Sequence, residues 1–281
     1  MPFDKRKAIF GVLIAGITGG LLFLPAIYFI GLAIAPPRPI PATAHVSPVV
    51  AEALWARANG GRATELTPLS PVVMAQFAAC MAIEDFKDTT PGDARRVEAC
   101  RDYLPAMQGV EYLSTVHMRD ANLKPSFREG ISRFATSVWL TRSWTKTEFL
   151  DSLASRGEFG AGLRGVEAAS RAYFDKGAGE LTLPQAALLA SFIGDRSTAF
   201  DPWCEPTAAA QMRGRVLQRM RDDLVIDDAE LNSANTSELA LGPPPADHKP
   251  CSGYRPAKGG AKRRYAWRGE AARCLSEAQP R

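Results

Sequence analysis

Between Ala8 and Ala35 not one residue is charged, and no other feature limits the fold of this chain so strongly. A helix needs ~20 apolar residues to cross the hydrocarbon core of a bilayer, so the run is long enough to span. Lys5, Arg6 and Lys7 stand just before it. Basic residues stay on the cytoplasmic side, which orients the N-terminus inward and sends everything after Pro36 across the membrane. Ala33-Ile34-Ala35 has the small-x-small form of a cleavage site, and Pro36 follows at once. The run is too long for an ordinary signal peptide, so an uncleaved anchor is expected.

Taken over the whole chain, the composition is close to that of a globular protein: 46% hydrophobic, 23% charged, formal net charge +4. This excludes a multi-span membrane protein and a disordered chain. Nucleic acid is not an expected partner, because no basic stripe interleaved with aromatic residues is present. Cys80, Cys100, Cys204, Cys251 and Cys274 match no paired C-x-x-C zinc pattern, and no metal site is expected from them. Outside the cytoplasm they are free to form disulfides, with at least one left over. Cys80 lies one helical turn before Glu84 and Cys100 closes the polar segment after it, so a bridge between these two is expected. It would tether that segment.

"PPRPIPAT" after the run predicts a stiff, extended linker. A short helix follows from about Pro48 to Ala58, stopped by Gly60 and Gly61, and a second apolar run from Val72 to Ile83 ends in Glu84 and Asp85. Helical spacing returns from Phe127 to Leu140. Thr145 and Glu148 form a capping box for a helix that closes before Gly157, and Thr182 and Gln185 form another. The helix after Thr182 is apolar on every side, as burial on all faces requires, and Gly194 stops it. Further helices are expected from Val166 to Phe174 and from Ala208 to about Leu224. Past Asp227 apolar periodicity fades and an irregular basic tail is expected. The boundaries are then 1–35 for the cytoplasmic stub and anchor, 36–70 for linker and short helix, 71–226 for a helical domain, and 227–281 for the tail.

Several stretches carry a resemblance. Lys146, Phe149-Leu150, Phe159-Gly160, Gly162, Gly165-Val166-Glu167-Ala168-Ala169, Tyr173-Phe174, Lys176, Leu181-Thr182-Leu183 and Ala186 to Ala190 occur in this order, followed by Asp201-Pro202, Arg213, Arg215 to Leu217 and Met220. From about Leu140 to Met220 the chain resembles the C-terminal half of the glycosyltransferase family 51 domain, the peptidoglycan glycosyltransferase of penicillin-binding proteins and monofunctional transglycosylases. The resemblance implies a mainly α, lysozyme-like helical domain behind a single N-terminal transmembrane helix. It also implies a bacterial inner-membrane location with the main domain in the periplasm. In such a fold the glycine strip of Gly160, Gly162 and Gly165 would let backbone segments approach a buried central helix closely.

Upstream the pattern departs from the family. The first motif, Glu-Asp followed by Phe, His and Gly, is echoed in "MAIEDFKDTTPGD" by Glu84, Asp85 and Phe86, without the histidine. The second motif, Gly-Gly-Ser-Thr-Ile-Thr-Gln-Gln, survives only as Gly109, Ser114 and Thr115 in "QGVEYLST". Where the family has the carboxylate of a Leu-Glu pair before the lysine helix, Thr141 stands.

The implied reaction joins lipid II units to a nascent glycan strand. Glu84 is the candidate general base, since a carboxylate at the end of an apolar helix facing a cleft gains the raised pKa that this role needs. Asp85, Ser114, Thr115, Lys124, Arg128 and Lys146 are the candidate substrate-binding residues, with Lys124, Arg128 or Arg133 opposite the leaving pyrophosphate. A divalent cation, Mg or Mn, is the one cofactor that the resemblance leaves open. The membrane and other cell-wall synthases complete the expected partners. A non-catalytic descendant that binds glycan, precursor or a wall enzyme is the competing reading, and a wall hydrolase a third.

Overall fold

The computed structural model describes residues 25–70, 72–74, 76–77, 79–80, 83, 100, 104–194, 201–244 and 251. Among them no strand occurs, only one isolated antiparallel bridge between Glu158 and Arg164. The chain folds as helices α1 (Pro48–Arg57), α2 (Met107–Asp120), α3 (Phe127–Ser143), α4 (Lys146–Arg156), α5 (Val166–Phe174), α6 (Leu183–Ser191), α7 (Pro206–Asp222) and α8 (Asp228–Thr236). Residues 25–34 are also helical, as is every described position from 72 to 83.

Local chemistry sets most of these boundaries. Thr145 and Glu148 form the expected capping box at α4, and Thr182 and Gln185 form the one at α6. Each box satisfies two amide donors that a helix start leaves unpaired. α6 lies between α1 and α7 and buries Gln185 through Ser191 in sequence. That is the environment its apolar surface demanded. Around it, Trp55 meets Phe149 edge-on at 6.4 Å, and Tyr173 stacks on Phe192 at 5.7 Å.

Two expectations change. The tail does not begin irregularly: Asp227 and Glu230 cap α8, and Leu231 and Ala234 are buried. Behind α8 the chain turns back, with Gly242 N–H donating to the Tyr173 carbonyl and Cys204 bonded to Cys251. Arg213, buried within α7, holds the end of α8 by donating to the carbonyls of Asn235 and Ser237 at 2.7 and 2.9 Å. Apolar periodicity missed α8 because only two of its side chains face the core.

The linker, though extended, is no free spacer. Its prolines lack N–H groups, so side chains from the domain hold it. His117 lies 2.9 Å from the Pro37 carbonyl, Arg156 donates to the Ile40 carbonyl, and Ser152 accepts from Ala42 N–H at 2.9 Å. The carboxylate of Asp151, only 5% exposed, accepts from Val46 N–H at 3.0 Å and pairs with His45 at 2.7 Å.

The bridge between Cys80 and Cys100 is present, with Cα atoms 5.9 Å apart. No helix among the described residues is long and apolar enough to cross a membrane. Most of the expected anchor, up to Leu24, and Cys274 lie outside the described residues.

Candidate functional site

The glycine strip builds a tight turn. Phe159 N–H donates to the Leu163 carbonyl and Leu163 N–H to the Gly160 carbonyl, while Gly165 N–H closes back on Gly157. Ala161 and Gly162 at its tip have φ of 48° and 75°, as a turn with two left-handed central residues requires. Gly160 has φ +80°, and a Cβ there would stand 2.6 Å from the Phe192 ring and 2.8 Å from the Tyr173 hydroxyl. The strip therefore seats the turn directly on the aromatic side of the core, with Phe159 fully buried.

Against this turn lies the end of α2. Tyr112 accepts from Glu158 N–H at 2.8 Å, and burial pushes its phenol above the usual range. Arg119 pairs with Glu158 at 2.8 Å. Arg164 makes a two-pronged contact with Asp120, Nη1 to Oδ1 at 3.0 Å, which holds its guanidinium above its ordinary pKa. Two cations and two carboxylates are thus paired off at the rim.

The residues singled out from sequence fall in three places. Ser114 is fully buried in the α2–α3 seam and accepts from Ser137 at 2.9 Å, so it presents nothing to a ligand in this state. One position on, Thr115 donates to the Glu111 carbonyl, and Glu111 pairs with Arg133 at 2.9 Å. Arg133 also lies 3.4 Å from Glu129, four residues earlier. Glu111 is the member of this seam that sequence reasoning did not name; it pairs with Arg133 across 22 positions, which no local spacing signals.

Lys124 and Arg128 are exposed at the entry to α3, where Arg128 donates to the Ile34 carbonyl at 3.3 Å. Lys146 sits elsewhere, at the start of α4. Its ammonium lies 4.4 Å from the Trp55 ring centre and 3.7 Å from Glu52, and its N–H donates to Glu65. That lysine joins α4 to α1.

Thr141 is buried, accepting from Leu69 N–H at 3.1 Å and donating to the Val138 carbonyl. Glu167 accepts from Ala178 N–H, which lowers its pKa, and pairs with Arg171 at 2.7 Å. Its side chain is half exposed. Glu84 and Asp85 lie outside the described residues. Among the described residues no three His, Cys, Asp or Glu side chains converge to hold a metal ion.

Residues 106–221, from just before α2 almost to the end of α7, match the family described as transglycosylase. A biosynthetic peptidoglycan transglycosylase of Rhodospirillum centenum is 30% identical over 160 residues, which cover 54% of this chain and 68% of that protein. Penicillin-binding protein 1A of Aquifex aeolicus is 28% identical over 123 residues, 44% of this chain but only 16% of its own length. The crystal structure of penicillin-binding protein 1A from Haemophilus influenzae aligns with 49% of this chain and 17% of its own at 22% identity and a TM-score of 0.32. With the family match spanning six of the helices above and the Rhodospirillum relative covered over two thirds of its length, the chain belongs to the transglycosylase family.

Proposed function

We propose that the protein is a divergent peptidoglycan glycosyltransferase that polymerises lipid II. The observation that carries the reading is the match to the biosynthetic peptidoglycan transglycosylase. Glu84 removes the proton from the acceptor sugar 4-hydroxyl, which attacks the anomeric carbon of the donor. Inversion gives a β-1,4 bond and the lipid pyrophosphate leaves. Lys124 and Arg128, the exposed cations at the entry to α3, are the candidates to stabilise that leaving charge. Asp85 belongs to the same site in this reading, whereas Lys146, occupied by Trp55 and Glu52, anchors the start of α4. The lysozyme-like character of the helical domain is part of this reading.

Two observations support the chemistry. The Cys80–Cys100 bridge fixes both ends of the stretch in which Glu84 and Asp85 lie. Disulfides also suit a compartment outside the cytoplasm, in keeping with an anchor at Ala8 to Ala35 and a periplasmic domain.

A second reading has its own support. Ser114 is buried and Thr141 is engaged in holding Leu69, so two positions of the family pattern serve packing here. This favours a non-catalytic relative that binds glycan, precursor or a wall synthase.

Polymerisation of lipid II by the full chain, in long assays with Mg or Mn, decides between them. Glu84→Gln keeps size and hydrogen bonding but removes the proton acceptor, so product should fall by at least ~10²-fold with precursor binding retained. Precursor binding without any product from the unmodified protein would establish the binding module instead.

A further inference from the structure

The two disulfides differ in how far solvent reaches them. Cys100, one end of the first bridge, is fully buried, whereas Cys251 is exposed and Cys204 half-buried. The second bridge joins residues 47 positions apart. Within that span residues 238–244 form neither helix nor strand. Gly242 anchors them, donating to the Tyr173 carbonyl at 2.7 Å and accepting from the Trp203 indole at 2.8 Å. Leu239 and Leu241 lie half-buried on the core, and Arg213 holds the near end through the Ser237 carbonyl. The bridge ties down the far end.

A segment without a backbone ladder of its own opens at low cost once one end is freed. Thiol exchange needs an attacking thiolate to reach a sulfur, so a surface disulfide is the kind that reacts. We propose that the Cys204–Cys251 bridge is a thiol-exchange site for a protein dithiol, whose action releases residues 238–244 from Trp203 and the end of α5. The dithiol's thiolate attacks Sγ of Cys251, the bond to Cys204 breaks, and Cys204 leaves as a thiolate. The dithiol's second thiol then displaces Cys251 from the mixed disulfide. Two electrons pass to the bridge, the dithiol departs as a disulfide, and its two protons end on Cys204 and Cys251.

Release would reach the candidate site. The Trp203 ring lies 4.8 Å from that of Tyr173, which stacks on Phe192, and Gly160 is seated against Tyr173 and Phe192. Residues 238–244 therefore cover one side of the aromatic layer that carries the glycine turn. The Cys80–Cys100 bridge, closed to solvent at Cys100, stays oxidised. The inference does not rest on the transferase reading.

Reduced thioredoxin, added to the full chain in detergent and in a Cys274→Ser background, tests it. Samples are alkylated with iodoacetamide over time and mapped by mass. Cys204 and Cys251 should be labelled at least ~10-fold faster than Cys80 and Cys100. Hydrogen exchange at Gly242 should quicken in step, while Leu153 in α4 keeps its protection. Labelling of both bridges at one rate, of Cys80 and Cys100 first, or of neither overturns the exchange site. Unchanged protection at Gly242 after reduction overturns the release. Cys204→Ser with Cys251→Ser should show the quickened Gly242 exchange with no reductant present, and the reduced native chain gives the same reading independently of how that variant folds.

Discussion

The proline-rich linker and the glycine-rich strip are both irregular, and the structure holds them by opposite means. Phe159 to Gly165 is closed by its own backbone, through bonds spanning three to eight residues. Residues 37–46, with prolines at every second position from 37 to 41, are secured instead by side chains more than 75 residues distant, His117, Ser152, Asp151 and Arg156. A backbone-closed turn is set by local conformational preference. A side-chain-held strap exists only once the helices that carry those side chains have assembled.

Four substitutions sharpen this contrast, and the strip should yield the largest effect. Gly160→Val forces a branched side chain into the Phe192 ring and the Tyr173 hydroxyl at φ +80°. Overpacking together with the disfavoured conformation should cost about 3 kcal/mol or more, measured by urea unfolding. A loss below about 1 kcal/mol would mean that the turn yields more easily than its contacts imply.

Asp151→Ala comes next. It leaves Val46 N–H and His45 without their buried acceptor, for a loss of about 2 kcal/mol. Hydrogen exchange should quicken at Val46 while Phe159 keeps its protection. Equal quickening at both amides would show that strap and strip open as one unit, against the contrast drawn above.

Thr145→Ala removes the cap of α4, the helix that presents Asp151, Ser152 and Arg156 to the strap. A loss of about 1 kcal/mol is expected from the unfolding midpoint.

Glu167 should give the smallest change. Its pKa is lowered by the Ala178 N–H, and the side chain is half exposed, so its worth is a few tenths of a kcal/mol after solvent screening. Because the folded-state pKa is depressed, this contribution is present above the unfolded carboxylate value and lost as pH falls through the folded one. Glu167→Gln should therefore differ from the unmodified protein at neutral pH and match it in acid, by urea midpoints across the carboxylate range.

The candidate site was less legible than the fold. Ser114 and Thr115 are adjacent in a motif-like stretch, yet one position of helical rotation sends the first into the α2–α3 seam and leaves the second beside Glu111. α2 itself escaped notice, since "MQGVEYLSTVHMRD" mixes buried and polar positions too evenly for periodicity to stand out. Lys146 carried the family resemblance, but its attachment to Trp55 and Glu52 joins residues some ninety positions apart.

Helix type, capping and the burial of α6 were determined by the sequence alone. Capping boxes at Thr145 and Thr182 are complete within four residues, and a helix apolar on all sides has no stable place except between others. The pairing of Cys80 with Cys100 was one expectation among the pairings that five cysteines leave open, and the structure contains it. Only the tertiary structure decided that the linker is strapped to α2 and α4, that α8 docks through Arg213, and which face of each helix meets solvent. Those outcomes depend on which distant donors and acceptors meet once the core has formed, and a chain's local pattern does not encode that geometry.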